Sequence, residues 1–263
     1  MELMVIENDP VKALQYIECG VDRIFIDLEI IGKVERQGHL NTVISLHSLD
    51  DVGLVKRAIS DSKLLVRVNP INPDSEYEIN KSIELGADIL MLPMFKTKKE
   101  VESFIKIVNG RVKVNLLLET PEAANCIDDI LTVSGIDEIH IGLNDLHLAL
   151  GLSIMMEMYL GDFLERVTSK VIAQKISLGI GGIAPLDAGL ISGRLVAAEA
   201  ILLGCERFIL SRAFPKSDLV LFKENIQQLK VYSKDVVEWS HEKKMDNRKF
   251  LESEIIKHKT VLR

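Results

Sequence analysis

The stretch Val112-Lys113-Val114-Asn115-Leu116-Leu117-Leu118-Glu119-Thr120-Pro121 holds the repeating unit of the chain. Its first seven residues are a nearly continuous apolar run, the pattern of a strand buried on both faces in a parallel sheet. An acid, Glu119, follows where the run ends. Thr120-Pro121 then reads as a helix N-cap with proline at the first helical position. One strand, one charged exit and one helix start thus fit within ten residues. The same unit recurs in both directions. Candidate strands are Leu3–Ile6, Arg23–Leu28, Leu64–Val68, Ile89–Leu92, Val112–Leu118, Glu138–Ile141, Ser177–Ile180 and Arg207–Leu210. Helical patterns lie between them at Leu49–Ile59, Glu76–Leu85, Lys98–Val108, Pro121–Thr132 and Ile154–Gln174. Asp9-Pro10 repeats the cap-and-proline start. Gly20, Gly86 and Gly135 stand just before strands, where helices stop.

Strict alternation of strand and helix implies parallel pairing with right-handed crossovers. Eight units over roughly 230 residues predict a closed (β/α)8 TIM-type barrel. The competing fold, an open doubly wound sheet, usually carries G-x-G-x-x-G after its first strand; here that strand runs into Glu7-Asn8-Asp9. Residues 1–230 are assigned to the barrel and 231–263 to a C-terminal helical extension. The extension is rich in Lys and Glu, with Trp239, Phe250, Leu251, Ile255 and Ile256 interspersed, as in amphipathic helices. It packs either on its own barrel or on a neighbouring subunit.

Hydrophobic residues make up 47% of the 263, enough for a sizeable core, and aromatics only 5%, so Ile, Leu and Val must build it. A net charge of −7 argues against sequence-independent nucleic-acid binding, which needs clustered Lys and Arg. Cys19, Cys126 and Cys205 are odd in number and far apart, which suits free thiols in a reducing compartment. The start MELMVIENDP is acidic where a signal peptide is basic, and no run reaches the ~18 apolar residues of a membrane span. The cytoplasm is expected by elimination.

Active sites of such barrels lie at the C-terminal ends of the strands. The residues there are Asp27-Leu28-Glu29, Arg67-Val68-Asn69, Pro93-Met94 with Lys96 beyond, Glu119-Thr120, Gly142-Leu143-Asn144-Asp145, Gly181-Gly182 and Ser211-Arg212. No Ser-His-Asp order, G-x-S-x-G elbow or metal-spaced histidine pair is present. Glu119 ends an apolar strand, so its carboxylate loses hydration and needs a cation or hydrogen-bond donors. Asp145 arrives 26 residues later on the next rim loop. Two carboxylates without a soft ligand suit a hard ion, Mg²⁺ or Mn²⁺. The structural alternatives are pairing of Glu119 with Arg67 or backbone, and an N-cap role for Asp145. Arg67 either forks a substrate carboxylate or pairs with Glu29 or Glu119. Gly142 and the residues after it offer backbone N–H groups to an anion.

The chain also resembles the HpcH/HpaI aldolase and citrate lyase β-subunit family of the phosphoenolpyruvate/pyruvate barrel superfamily. The matching pieces are residues 20–29 (GVDRIFIDLE), 66–69 (VRVN), 85–94 (LGADILMLPM), 118–120 (LET) and 135–146 (GIDEIHIGLNDL). The resemblance implies that Glu119 and Asp145 hold the divalent metal and that Arg67 contacts a bound oxo acid. It implies that amides at Asn144 and Asp145 receive the substrate carboxylate. It further implies a homo-oligomer, a trimer or hexamer. The aldolase branch carries a proton-moving histidine directly after its D-x-E motif. That position is Ile30 here, followed by Lys33, Arg36 and Gln37, and His39 or His47 is the substitute the same loop offers.

The expected activity is that of a divalent-metal-dependent carbon–carbon lyase of the class II aldolase type. It would cleave or form a 4-hydroxy-2-oxo acid, giving a pyruvate-like 2-oxo acid and an aldehyde through a metal-stabilised enolate. Arg67, Asp27, Glu29 and His39 are the expected catalytic group, and Arg67, Gly142, Asn144 and Asp145 the substrate-binding group. A lyase acting on an acyl-CoA thioester, with Lys33 and Arg36 toward its phosphates, and a non-catalytic binding barrel are the alternatives.

Overall fold

The computed structural model describes residues 1–32 and 46–261. Eight parallel strands close into a barrel in chain order: β1 Glu2–Ile6, β2 Arg23–Asp27, β3 Lys63–Arg67, β4 Ile89–Leu92, β5 Lys113–Leu118, β6 Glu138–Gly142, β7 Ser177–Ile183 and β8 Arg207–Leu210. β8 pairs back onto β1 through Glu2↔Arg207 and Met4↔Ile209. The expected barrel is therefore the fold, with each strand within a few residues of its expected place.

The described helices are α1 Pro10–Glu18, α2 Leu49–Ile59, α3 Ser75–Glu84, α4 Lys98–Val108, α5 Pro121–Asn125, α6 Ile127–Ile130, α7 Leu143–Ala149, α8 Phe163–Ala173, α9 Gly193–Leu202, α10 Leu219–Val237 and α11 His241–Val261. Asp9 caps α1 by accepting from the N–H groups of Val11 and Lys12 at 2.8 and 3.2 Å. Thr120 caps α5 by accepting from Ala123 at 3.2 Å. Gly20, Gly86 and Gly135 take φ of +100°, +103° and +94°, a region that L side chains resist, and so end their helical connections.

Two expected helices are broken. Pro121–Thr132 is two short pieces because the chain leaves helical geometry at Cys126 (φ −104°, ψ 23°), whose thiol donates to the Lys96 carbonyl. Ile154–Gln174 is a 3-10 turn, Met155–Tyr159, and then α8; Gly161 at φ +73° separates them. The apolar periodicity runs across both breaks, which is why the sequence reads as continuous.

Side chains alternate across each strand, so residues two apart share a face. The outward set, including Leu3, Val5, Ile24, Ile26, Leu64 and Val66, joins the helices in one large core. The inward set, Met4, Phe25, Leu65, Ile89, Met91 and Leu117, forms a separate apolar plug inside the barrel. Below it lies an ionic floor. Arg23 forks Glu138 at 2.7 and 2.9 Å and also pairs with Glu2, while Arg207 reaches Glu2 at 3.1 Å and Glu138 at 3.4 Å. Above the plug the inward positions carry the rim acids and Arg67.

In the extension, α11 packs on its own chain. Leu251 and Ile255 are buried, Asn247 donates to the Leu195 carbonyl, and Arg248 reaches Glu199 at 3.3 Å. α10 runs unbroken across residue 230. No described helix is long and apolar enough to cross a membrane. Cys19, Cys126 and Cys205 are free thiols.

Candidate active site

The rim is built by three inward-facing strand ends. β2 delivers Asp27 and then Glu29, β3 delivers Arg67, and β5 delivers Glu119. Arg67 donates from Nε to Asp27 Oδ1 and from one terminal nitrogen to Asp27 Oδ2, both at 2.8 Å. The same terminal nitrogen lies 3.3 Å from Glu29. Its guanidinium carbon stands 5.5 Å from the centroid of the Phe25 ring, within the apolar plug. Burial disfavours the guanidinium charge, but Asp27 and then Glu29 outweigh that, so the Arg67 pKa is raised. Planarity and five fixed donors make arginine the residue suited to this double contact.

Glu119 is 3% exposed and accepts from the backbone N–H of Met94 at 3.1 Å. Met94 holds φ +53°, an uncommon left-handed conformation for this residue type. Burial pushes the Glu119 carboxyl up to about 8; Arg67 pulls it down, Glu29 and Asp145 push it further up, and the Met94 N–H pulls it down. Gly142, across the β5–β6 seam, has no alternative. A Cβ there would stand 2.8 Å from both Glu119 Cβ and Oε2, and 3.2 Å from Leu117 Cδ1.

A cavity of about 420 Å³ opens at this end, lined by Met94, Lys96, Glu119, Thr120, Pro121, Glu122, Asp145, Leu148 and Ala149. Glu119 and Asp145 thus line one cavity. Asp145 is half-buried in the first turn of α7, whose N-cap is Gly142, so it is not itself the cap. Asn144 is exposed. Lys96 and Glu122 pair at 3.0 Å at the cavity's edge.

Asp27 and Glu29 stand on Arg67, so their visible role is to fix that guanidinium. His39, Lys33, Arg36 and Gln37 lie outside the described residues. His47 is described: its Nδ1 accepts from the Asp27 N–H at 3.0 Å, which leaves the proton of the neutral ring on Nε2. The sequence did not mark Asn69 as more than part of a motif. Its Oδ1 accepts from the N–H groups of Ile30 and Ile31 at 2.9 and 3.0 Å, and its amide donates to Leu28 O and Glu78 at 3.1 and 2.7 Å. It therefore ties down the chain leaving β2. Asn two residues after Arg67 on a strand exit was the available signal, but its β2-side partners Leu28, Ile30 and Ile31 lie 38 to 41 residues away.

Among the described residues no group of three or more His, Cys, Asp or Glu gathers as a metal cluster. The donor set nevertheless fits a hard divalent ion. Two carboxylates on one cavity supply oxygen only, and Mg²⁺ commonly takes one or two protein carboxylates with the rest of its shell from water and substrate. The buried Glu119 carboxylate, pressed by two neighbouring acids, gains from such a cation.

The chain is thus a closed parallel barrel with an arginine-anchored acid cluster at its C-terminal rim. The chain belongs to the HpcH/HpaI aldolase/citrate lyase family, whose model matches residues 4–177. Solved structures share the fold. An HpcH/HpaI aldolase/citrate lyase family protein from Burkholderia cenocepacia J2315 is 17% identical with a TM-score of 0.63, covering 87% of this chain and 94% of that one. An HpcH/HpaI aldolase from Desulfitobacterium hafniense DCB-2 is 15% identical with a TM-score of 0.62, covering 91% and 94%. The citrate synthase SbnG is 18% identical with a TM-score of 0.62, covering 89% and 93%. No curated protein matches the chain in sequence.

Proposed function

We propose that this chain is a divalent-metal-dependent carbon–carbon lyase of the class II aldolase type, acting on a 4-hydroxy-2-oxo acid. The observation that carries the reading is Glu119: a buried carboxylate, facing Asp145 across one cavity, at the end of a barrel strand. Glu119 and Asp145 hold the ion, Mg²⁺ or Mn²⁺. A bound ion of this kind supplies Lewis-acid stabilisation of the negative charge that develops on the 2-oxo group.

The chain's own residues do the rest. Arg67 presents a fixed positive charge toward the same layer, and Asp27 and Glu29 keep it from swinging away. The N–H groups of residues 143–145 at the start of α7 receive the substrate carboxylate. Leu148 and Ala149 form an apolar wall for the carbon chain. A histidine following β2 in the sequence takes the proton from the 4-hydroxyl; His47, which accepts from the Asp27 N–H, is the described one. The carbon–carbon bond then breaks to an aldehyde and the enolate of pyruvate or a close relative, which is protonated at C3.

The test is calorimetric titration with Mg²⁺ and Mn²⁺. Wild type should bind one ion per chain, and Glu119→Gln should lose most of the affinity while keeping its fold. Full metal affinity and full lyase activity in Glu119→Gln would end the proposal.

A further inference from the structure

Five buried polar atoms of the barrel interior find no hydrogen-bond partner among the described residues: His140 Nδ1 and Nε2, Asn115 Oδ1, Arg23 Nε and Arg207 Nη1. Registry places them together. Asn115 faces Glu138 across β5–β6, and His140 follows two residues up the same face of β6. His140 also pairs with Gly179, and Gly142 with Gly181, across β6–β7. His140 is fully buried, so solvent at the surface does not reach it.

The ring's position is fixed by what β7 lacks. A Cβ on Gly179 would stand 2.3 Å from His140 Nδ1 and 3.1 Å from Arg207 Cβ. A Cβ on Gly181 would stand 3.0 Å from Nε2. Nδ1 therefore lies on the Arg207 side, toward the ionic floor, and Nε2 on the side of the layer that holds Gly142 and Glu119. Two glycines in Leu178-Gly179-Ile180-Gly181 make room for an imidazole where an apolar side chain would otherwise complete the plug.

Leaving such atoms unmet costs about 1–3 kcal/mol each. Five in one place would consume most of the ~5–15 kcal/mol by which a domain is stable. Buried water, which typically makes about three hydrogen bonds, removes that cost. The floor is balanced, Arg23 and Arg207 against Glu2 and Glu138, so a neutral ligand suits it better than an anion. The ring is also neutral: burial, and then the charges of Arg207, Arg23 and Arg67, hold its pKa down to about 3 against the pull of Glu138. A neutral imidazole offers one donor and one acceptor, and water can answer both.

We propose that His140 is the centre of a built-in hydration site in the barrel core, with ordered water on both ring nitrogens bridging to Asn115 and Arg207 below and reaching the Glu119 layer above. This assignment stands independently of the reaction the rim performs. The experiment is NMR on the full chain labelled with ¹⁵N-histidine, together with water ¹⁷O relaxation dispersion. His140 should show cross-relaxation from its ring to long-lived water. His140→Phe should lose those waters from the dispersion and lower Tm, because Asn115 and Arg207 lose their partner. His140→Gln, which keeps a donor and an acceptor, should retain them. A ring with no water cross-peak, or a His140→Phe protein with an unchanged water dispersion and a raised Tm, overturns the proposal. If His140→Phe fails to fold, the wild-type cross-peak and the His140→Gln dispersion decide alone.

Discussion

Replacing Arg67 by Met keeps an unbranched stem over Phe25 but removes the charge that Asp27 and Glu29 share. Both carboxylate side chains are only 2% exposed. Without the guanidinium, one of them must be neutralised for the pair to stay buried. Taking up a proton at pH 7 costs about 1.36 kcal/mol for each pH unit above the ordinary carboxyl value near 4, hence about 4 kcal/mol. That agrees with the ~3–5 kcal/mol typical of breaking a buried ion pair. The sign of the pH dependence follows. A carboxyl whose folded pKa is raised stabilises the fold at low pH and loses that contribution as pH rises. The gap between wild type and Arg67→Met should therefore shrink by about 1.4 kcal/mol per unit as pH falls from 7 toward 5. Urea midpoints at pH 7, 6 and 5, in chelator so that metal does not contribute, measure it. A gap below about 1 kcal/mol at pH 7, or one that ignores pH, would refute the claim that this triad is desolvated.

Three further outcomes are expected. His140, neutral when folded with its pKa near 3, ionises only in the unfolded chain between that value and about 6.5. Its contribution is complete above pH 6.5 and fades as pH falls, so wild type should lose about 2 kcal/mol relative to His140→Gln between pH 7 and 5, read from paired urea curves; an unchanged difference would contradict it. Gly142→Ala places a methyl 2.8 Å from Glu119 Cβ and Oε2, with a backbone φ of −86° that alanine accepts. Mg²⁺ affinity should fall about 10–100-fold in calorimetry, and Tm should fall as well because the buried Glu119 and Leu117 must give way; undiminished affinity would separate Gly142 from metal binding. Asp9→Ala removes the cap of α1 and should cost about 1 kcal/mol in thermal or urea unfolding without touching metal affinity; no loss would mean the two N–H groups find water instead.

Local rules carried the sequence reading of the fold. Continuous apolar strands, the caps Asp9-Pro10 and Thr120-Pro121, and the three glycine stops each depend on residues a few positions apart, and each is where it was expected. The breaks at Cys126 and Gly161 escaped because apolar spacing continues across them. The rim acids were legible for a different reason: a carboxylate ending a core-directed strand violates the apolar pattern and so announces itself. What could not be read was partnership. Arg23, Glu138 and Arg207 read only as the first residues of strands and Asn115 as the interior of one, yet they meet across the closed barrel as an ionic floor, because only closure brings β2, β5, β6 and β8 face to face. Asn69 and His47 likewise act on residues distant in sequence. The left-handed Met94, which aims its N–H at Glu119, has no sequence signature.

Loss of the C3 protons of pyruvate into D₂O, followed by NMR, reports on the enolate chemistry proposed at Glu119 and Asp145. With Mg²⁺ or Mn²⁺ present, wild type should exchange these protons, chelator should stop the exchange, and Glu119→Gln should abolish it. No exchange by wild-type protein with metal demonstrably bound, or undiminished exchange by Glu119→Gln, would rule out enolate formation by these two acids.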